Sequence, residues 1–358
     1  MQINKCAIQG KRFVFLCALV VAMVACQAKL NETLPQPDVR SSPYTPSPTI
    51  TPTATITPTP LVTTTPLPTI TATPNPFAEY YVPALMKRTY GGGVLQSEGL
   101  LMSGRNFDRF LFKYRSEGLN LYGFMNIPKG EGPFAVVIVL HGYVDPSEYN
   151  TLAYSTRYAD ALAEAGYIVL HPNLRGYANS DNGENPVGIG DTIDILNLIG
   201  LVRNQSGVTG PLKKADGERI GLWGHSMGGG IVLRVLVVDQ GIGAALLYAP
   251  IHADEAVNLQ YFEFDGRGNA KIDVPPEVIQ GISARYYLDR ITAPLSIHHG
   301  EEDVVVPLEW SDSLCRDLGL LKIEVMCYFY EDQAHTFKNA GDSVFIRRTI
   351  EFFDKHLK

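Results

Sequence analysis

Ser226 sits in Gly224-His225-Ser226-Met227-Gly228, which matches Gly-x-Ser-x-Gly. The serine follows an apolar run, Ile220 to Trp223, and precedes a segment read as helical, Gly229 to Val238. A strand that turns sharply into a helix needs small residues beside the turning residue, and it lifts that side chain clear of the sheet. The helix start beneath it favours developing negative charge. The chemistry implied is nucleophilic attack by a hydroxyl, which is weak until a base takes its proton. The base is expected to be a histidine oriented by a carboxylate, and on this scaffold the chain order is serine, acid, histidine. Asp303 and His335 meet that order. Asp303 lies in the loop after Leu295 to His298, and His335 in Gln333-Ala334-His335-Thr336-Phe337 after Ile323 to Tyr330. Glu301 and Glu302 are the competing acids. The remaining seven histidines of the eight in the chain read as structural. Of these, His225 should point sideways from the elbow, His298 and His299 end a strand too early for the base, and His252 is placed to touch substrate.

Acyl transfer passes through an oxyanion, which needs two aimed donors. The Met227 amide at the helix start is one candidate. The Tyr143 amide is the other, in His141-Gly142-Tyr143 after the apolar run Ala135 to Leu140. Gly142 lets backbone approach closely there. These residues need a scaffold, and the pattern supplies one. Phe107 to Arg115 and Leu119 to Ile127 read as an opening antiparallel pair around Glu117-Gly118. After them strands and helices alternate. The strands are Ala135 to Leu140, Ile168 to Leu170, Ile220 to Trp223, Ala244 to Tyr248, Leu295 to His298 and Ile323 to Tyr330. The helices are 152–165, an amphipathic 190–203, 229–238, 309–318 and 344–357. Such alternation means an α/β fold, a mostly parallel central sheet with helices on both faces, binding ligands beyond the carboxyl ends of its strands. Residues 251–290 break the rhythm and read as a small lid insertion. Its aromatic residues, Tyr261, Phe262, Phe264, Tyr286 and Tyr287, read as pocket wall or as packing within a long loop. Tyr143, His252, Tyr261 and Phe262 are the candidate substrate contacts. Glu255 and Glu263 are the insertion's open cases for capturing an amine.

His141-Gly142, Asn173-Leu174-Arg175-Gly176, the elbow at Ser226, the Asp303 loop and the His335 loop occur in one order across Phe107 to Lys358. Together they resemble the α/β-hydrolase superfamily, in particular dienelactone-hydrolase-like esterases and the catalytic domain of prolyl oligopeptidase-type serine peptidases. The resemblance implies acyl-enzyme chemistry on Ser226, with His335 shuttling the proton, Asp303 ionised, and no metal or cofactor required. It implies a small ester or short peptide as substrate. Esters are favoured, because there is no room here for the β-propeller that gates prolyl oligopeptidases. A small peptidase and an inactive surface-binding lipoprotein on the same fold are the alternatives.

The beginning of the chain is of another kind. Lys5, Lys11 and Arg12 precede an uncharged run, Phe13 to Ala25, too short to span a bilayer comfortably but suited to a secretory signal. It ends in Met23-Val24-Ala25-Cys26, which resembles the lipobox of bacterial lipoproteins. A signal over residues 1–25 is therefore expected, with Cys26 lipidated and the protein held on the outer face of the cell membrane. A plain signal peptide or a retained anchor are the other readings. Residues 26–78 read as a tether. Half of the 24 prolines lie between Pro35 and Pro76, mixed with threonine. That composition buries too little apolar surface to fold and stiffens toward an extended spacer. The catalytic domain is expected over 79–358. Of the five cysteines, Cys6 and Cys17 leave with the signal and Cys26 is committed to lipid. Cys315 and Cys327 remain, an even pair expected to form a disulfide in an oxidising compartment, with two buried thiols as the alternative. A net charge of -7 without a basic cluster argues against nucleic acid, and no Cys/His spacing reads as a zinc site.

Overall fold

Ala135 to Leu140 carries only apolar side chains, and both faces of that strand are covered. The computed structural model describes residues 75, 77–262 and 275–358. The expected signal, Cys26, nearly all of the tether, Glu263 and Phe264 lie outside the described residues. The chain runs α1 (Val82–Leu85), β1 (Gln96–Ser103), β2 (Phe107–Ser116), β3 (Leu119–Pro128), β4 (Phe134–Leu140), α2 (Thr156–Glu164) and β5 (Ile168–Pro172). It continues through α3 (Ile189–Gln205), β6 (Ala215–His225), α4 (Met227–Val238), β7 (Ala244–Tyr248), α5 (Glu255–Phe262) and α6 (Pro276–Ile282). It ends with β8 (Leu295–Gly300), α7 (Leu308–Leu320), β9 (Val325–Tyr330) and α8 (Asn339–Leu357).

The strands form one nine-stranded sheet in the order β1-β2-β3-β5-β4-β6-β7-β8-β9. β1, β2 and β3 pair antiparallel, as do β3 and β5, and every pairing from β5 through β4 to β9 is parallel. This is the α/β-hydrolase fold. Alternation along β4 splits the core into two layers. Val136, Ile138 and Leu140 pack with residues of α3, α4 and α7, while Val137 and Val139 pack with residues of α2 and α8. A strand buried on both faces must be apolar throughout, which is why its sequence shows no alternation.

Three expectations need correction. The segment 190–203 is not amphipathic in effect. α3 is buried on nearly every face, including Asp191, Thr192 and Asp194. Residues 90–95 cross its outer side, where Gly91 N–H donates to Asn197 Oδ1 at 3.2 Å and Leu95 N–H to Gln205 Oε1 at 3.2 Å. The helix expected over 152–165 begins only at Thr156, after turns that include Tyr154 at φ 55°. β1 was not anticipated, because all eight of its residues are exposed and no burial alternation marks it. The Asn173-Leu174-Arg175-Gly176 segment finds its reason inside the fold. Arg175 is buried and grips Asp194 of α3 through Nε at 2.8 Å and Nη2 at 2.6 Å. Cys315 of α7 and Cys327 of β9 are joined by a disulfide. Among the described residues no helix is long and apolar enough to cross a membrane.

Candidate active site

Ser226 links β6 to α4 at φ 53° and ψ -117°, a conformation that L-residues avoid and that persists only where the surroundings hold it. The surroundings do so here. Its N–H donates to Tyr248 O at 2.9 Å, and its carbonyl accepts from Gly229 N–H at 2.9 Å and from Gly230 and Ile251 N–H at 3.2 Å. Close approach explains the flanking glycines. A Cβ on Gly224 would lie 2.4 Å from Gly228 O, and one on Gly228 would lie 2.5 Å from Leu140 O. The turn is therefore wedged against the end of β4.

The loop after β4 brings up the second oxyanion candidate. A Cβ on Gly142 would stand 3.1 Å from Ser226 Cβ and 3.1 Å from His225 Nδ1. Tyr143 follows directly, and its side chain is partly exposed. Met227 opens α4, where the first N–H groups have no acceptor within the helix. The Met227 amide is thus next to Ser226 in the chain, and Tyr143 follows the glycine that packs against Ser226. Beneath them His141 is buried, bonded through Nδ1 to Gly142 O at 2.7 Å and packed on Tyr149 and Tyr177.

His335 donates from Nδ1 to Asp303 Oδ2 at 2.7 Å, with the carboxylate fully buried and the imidazole partly open. Asp303 Oδ1 accepts the Val305 and Val306 N–H groups at 2.8 and 2.9 Å. Burial alone would raise its pKa, but the hydrogen bonds from His299, His335 and Val306 together outweigh it and hold the carboxyl well below the usual range. Glu301 and Glu302 face solvent, and their backbone N–H groups bond to Tyr330 O and Gln333 O at 2.9 Å, joining the acid's loop to the base's loop. The base's loop is tied in turn to the elbow. His225 Nε2 donates to His335 O at 3.0 Å, and the two rings lie 4.6 Å apart. No hydrogen bond joins Ser226 Oγ to His335 among the described residues. Such contacts often tighten only when substrate binds.

Two residues escaped the sequence reading. His299, set aside as structural, places Nε2 3.1 Å from Asp303 Oδ2. Trp310, at the start of α7, gathers three of the candidate substrate contacts, with ring centroids 5.3 Å from His252, 5.0 Å from Tyr261 and 6.0 Å from Phe262. No periodicity pointed to either, since each is defined by a partner in another element or loop. Glu255 is occupied already. It is buried and accepts from Arg234 Nη2 at 2.6 Å and from Asn258 Nδ2 at 3.2 Å. Among the described residues no cluster of three or more His, Cys, Asp or Glu is placed to hold a metal ion.

The histidines packed around this end of the sheet predict a pH effect on stability. Burial, with help from neighbouring histidines, pushes His171 and His225 down to about 3, and burial holds His298 well below the ordinary histidine range. All three are neutral in the fold, whereas an unfolded chain protonates them near about 6.5. The unfolded state then binds more protons, so stability falls as pH drops from about 6.5 toward 3. The slope approaches about 1.4 kcal/mol per pH unit for each group, or about 4 for all three. The depressed Asp303 carboxyl adds loss in the same direction below about pH 4. Urea midpoints should decline steadily between pH 7 and 5; midpoints constant over that range would contradict the neutral assignment.

The comparisons agree with this architecture. The model of the prolyl oligopeptidase family matches residues 152–358, more than half of the chain. An uncharacterized 31.7 kDa protein of Escherichia coli, from the traX-finO intergenic region, is 31% identical over 128 residues, 36% of this chain and 40% of that protein. The candidate esterase YitV of Bacillus subtilis (strain 168) is 27% identical over 267 residues, 65% of this chain and 95% of YitV. The acylaminoacyl peptidase of Pyrococcus horikoshii is similar in fold, with TM-score 0.58 at 24% identity over 71% of this chain and 42% of that one. The chain thus spans only 40% of the E. coli relative's length. With its family match running from before α2 to the last residue, the chain belongs to the prolyl oligopeptidase family and has the α/β-hydrolase fold.

Proposed function

We propose that this protein is a serine hydrolase that cleaves carboxylic esters through an acyl-enzyme on Ser226. The observation that carries the reading is the 2.7 Å bond from His335 to a buried carboxylate, in a loop tied to the strained Ser226 turn. Ser226 Oγ attacks the ester carbonyl while His335 Nε2 takes its proton. Asp303 stays ionised and holds the other ring nitrogen, which selects the tautomer and stabilises the imidazolium. The Met227 and Tyr143 N–H groups receive the oxyanion. Collapse expels the alcohol, which takes the proton back from His335. Water then repeats the sequence on the acyl-enzyme, releasing the acid and restoring Ser226.

The choice of esters over amides rests on what each leaving group needs. An alkoxide leaves with modest acid help, whereas an amine needs a well-placed proton and a firm hold on the flanking chain. Glu255, one candidate for holding a peptide amine, already pairs with Arg234. The aromatic group of Trp310, Tyr261 and Phe262 supports an apolar acyl or aryl site, and likeness to YitV over nearly all of its length points the same way. Family membership favours the second reading, a small serine peptidase. The purified protein should hydrolyse aryl and sugar esters at least roughly a hundredfold more efficiently than aminoacyl and prolyl anilides, about 2.7 kcal/mol in transition-state terms. Equal specificity constants for anilides and natural esters would establish the peptidase instead.

Cys26 is the proposed attachment point, with the Thr/Pro-rich segment as spacer to the membrane. The charged residues, short apolar run and small residues before Cys26 support this. Cys26→Ser should move the protein from the membrane fraction to the soluble exported fraction, and unchanged membrane association would favour a retained anchor.

A further inference from the structure

His299 is fully buried, and every polar atom of its ring has a partner. Nδ1 lies 2.7 Å from Ser311 Oγ, on α7. Nε2 lies 3.0 Å from Val306 O and 3.1 Å from Asp303 Oδ2. Both neighbours of Nε2 are acceptors, so Nε2 carries a proton in any state that this geometry allows. The Ser311 hydroxyl then completes the pattern by donating to Nδ1. Asp303 Oδ2 accepts the His335 Nδ1–H and lies within reach of the His299 Nε2–H, which is shared with Val306 O, while Oδ1 receives two backbone N–H groups. Three N–H groups donate to this carboxylate and a fourth, shared with Val306 O, stands beside it, which restricts its rotation about the Cβ–Cγ bond.

We propose that His299, held in its Nε2–H tautomer by Ser311, is a positioning residue that fixes the Asp303 carboxylate for His335. This rests on the reading of Asp303 as the acid. The physical need is plain. A carboxylate held by His335 and two amides alone can rock about its Cβ–Cγ bond, and the imidazole it orients rocks with it. A misplacement of about 1 Å in a reacting group can lower the rate by roughly 100-fold. His299 brings its donor without a flexible arm, because Ser311 of α7 holds Nδ1 and Val306 of the loop after β8 holds Nε2.

Nitrogen-15 spectra of the full-length protein labelled at histidine test the tautomer directly, with H299Q providing the assignment. The expected result is a protonated Nε2 on His299 at neutral pH. An unprotonated Nε2 overturns the proposal whatever the activity, since that nitrogen could not then donate to Asp303. Kinetics supply the second arm. H299F keeps a ring but no donor, and should lower kcat by roughly 10- to 100-fold while KM stays within about twofold. H299Q restores an N–H donor and should recover most of that loss. S311A leaves the imidazole in place but removes the hydroxyl that selects its tautomer, and should lower kcat by a smaller factor even if H299F does not fold. Equal losses for H299Q and H299F that track their melting temperatures, or S311A with wild-type kcat, would mean that His299 only fills space. Failure of the esterase reading is distinguishable, because it shows in the comparison of esters with anilides and leaves the His299 spectrum unchanged.

Discussion

Ser226→Ala, His335→Ala and the Ser226→Ala/His335→Ala double variant are expected to share one residual turnover, roughly 10⁵- to 10⁶-fold below wild type. The reason is that the two side chains act in one proton transfer. Once the hydroxyl is gone the imidazole has nothing to deprotonate, and once the imidazole is gone the hydroxyl is an ordinary alcohol. What remains is the work of the proposed oxyanion donors, the Met227 and Tyr143 amides, and of binding. Asp303→Asn should lose roughly 10⁴-fold, by a different route. Oδ1 of Asp303 accepts two backbone N–H groups and Oδ2 accepts the His335 N–H with His299 Nε2 3.1 Å away, so an amide nitrogen placed at either position would face N–H groups. Directed at His335, it would favour the wrong tautomer. Single-turnover acylation by a p-nitrophenyl ester separates these steps, with thermal unfolding as the control for folding. A fluorophosphonate probe should label wild type and leave Ser226→Ala unmarked. Losses that multiply in the double variant, or an Asp303→Asn protein within tenfold of wild type, would contradict the assignment.

Gly228→Ala should cost at least about 3 kcal/mol of stability, which for a domain of this size lowers the melting midpoint by roughly 6–12 °C. The added carbon would lie 2.5 Å from Leu140 O, 2.7 Å from His141 O and 2.8 Å from Leu140 C. All three atoms are backbone at the end of the central strand, so no side chain can swing aside. Either α4 lifts from β4 or the strand end shifts, and Ser226 loses its strained conformation in both cases. Gly142→Ala provides the contrast. Its carbon would meet Ser226 Cβ and His225 Nδ1 at 3.1 Å, which a shift of a few tenths of an ångström relieves. Stability should barely change there, while kcat falls roughly tenfold or more because the loop carrying the Tyr143 amide moves away from Ser226. Calorimetry and esterase kinetics on the two variants read these effects separately. A Gly228→Ala protein that melts with wild type would show that the strand end and the helix start are not in contact.

Much of this protein was legible in its residues because the relevant requirements are local. A turn that places a serine at φ 53° needs small neighbours, and Gly224 and Gly228 stand there in the sequence. A strand covered on both faces must be apolar throughout, and β4 is. The order of Ser226, Asp303 and His335 follows from the order of the strands whose ends carry them. Local sequence favours Asp303 over Glu301 and Glu302, but it does not single out His299 among the histidines, because its contacts with Asp303, Val306 and Ser311 exist only once the loop after β8 and the start of α7 are folded. The parallel register of β8 on β9 sets Gly300 beside Tyr330, and that pairing brings the two loops together so that one carboxylate of three meets His335. The same holds for Glu255, whose partner Arg234 lies on α4, and for Trp310, which collects aromatic residues from α5. Apolar patterning records how much of each residue is buried. Which polar group meets which is decided only when the sheet closes its register and the helices settle on it, since a buried polar atom must take whichever partner that packing leaves within reach.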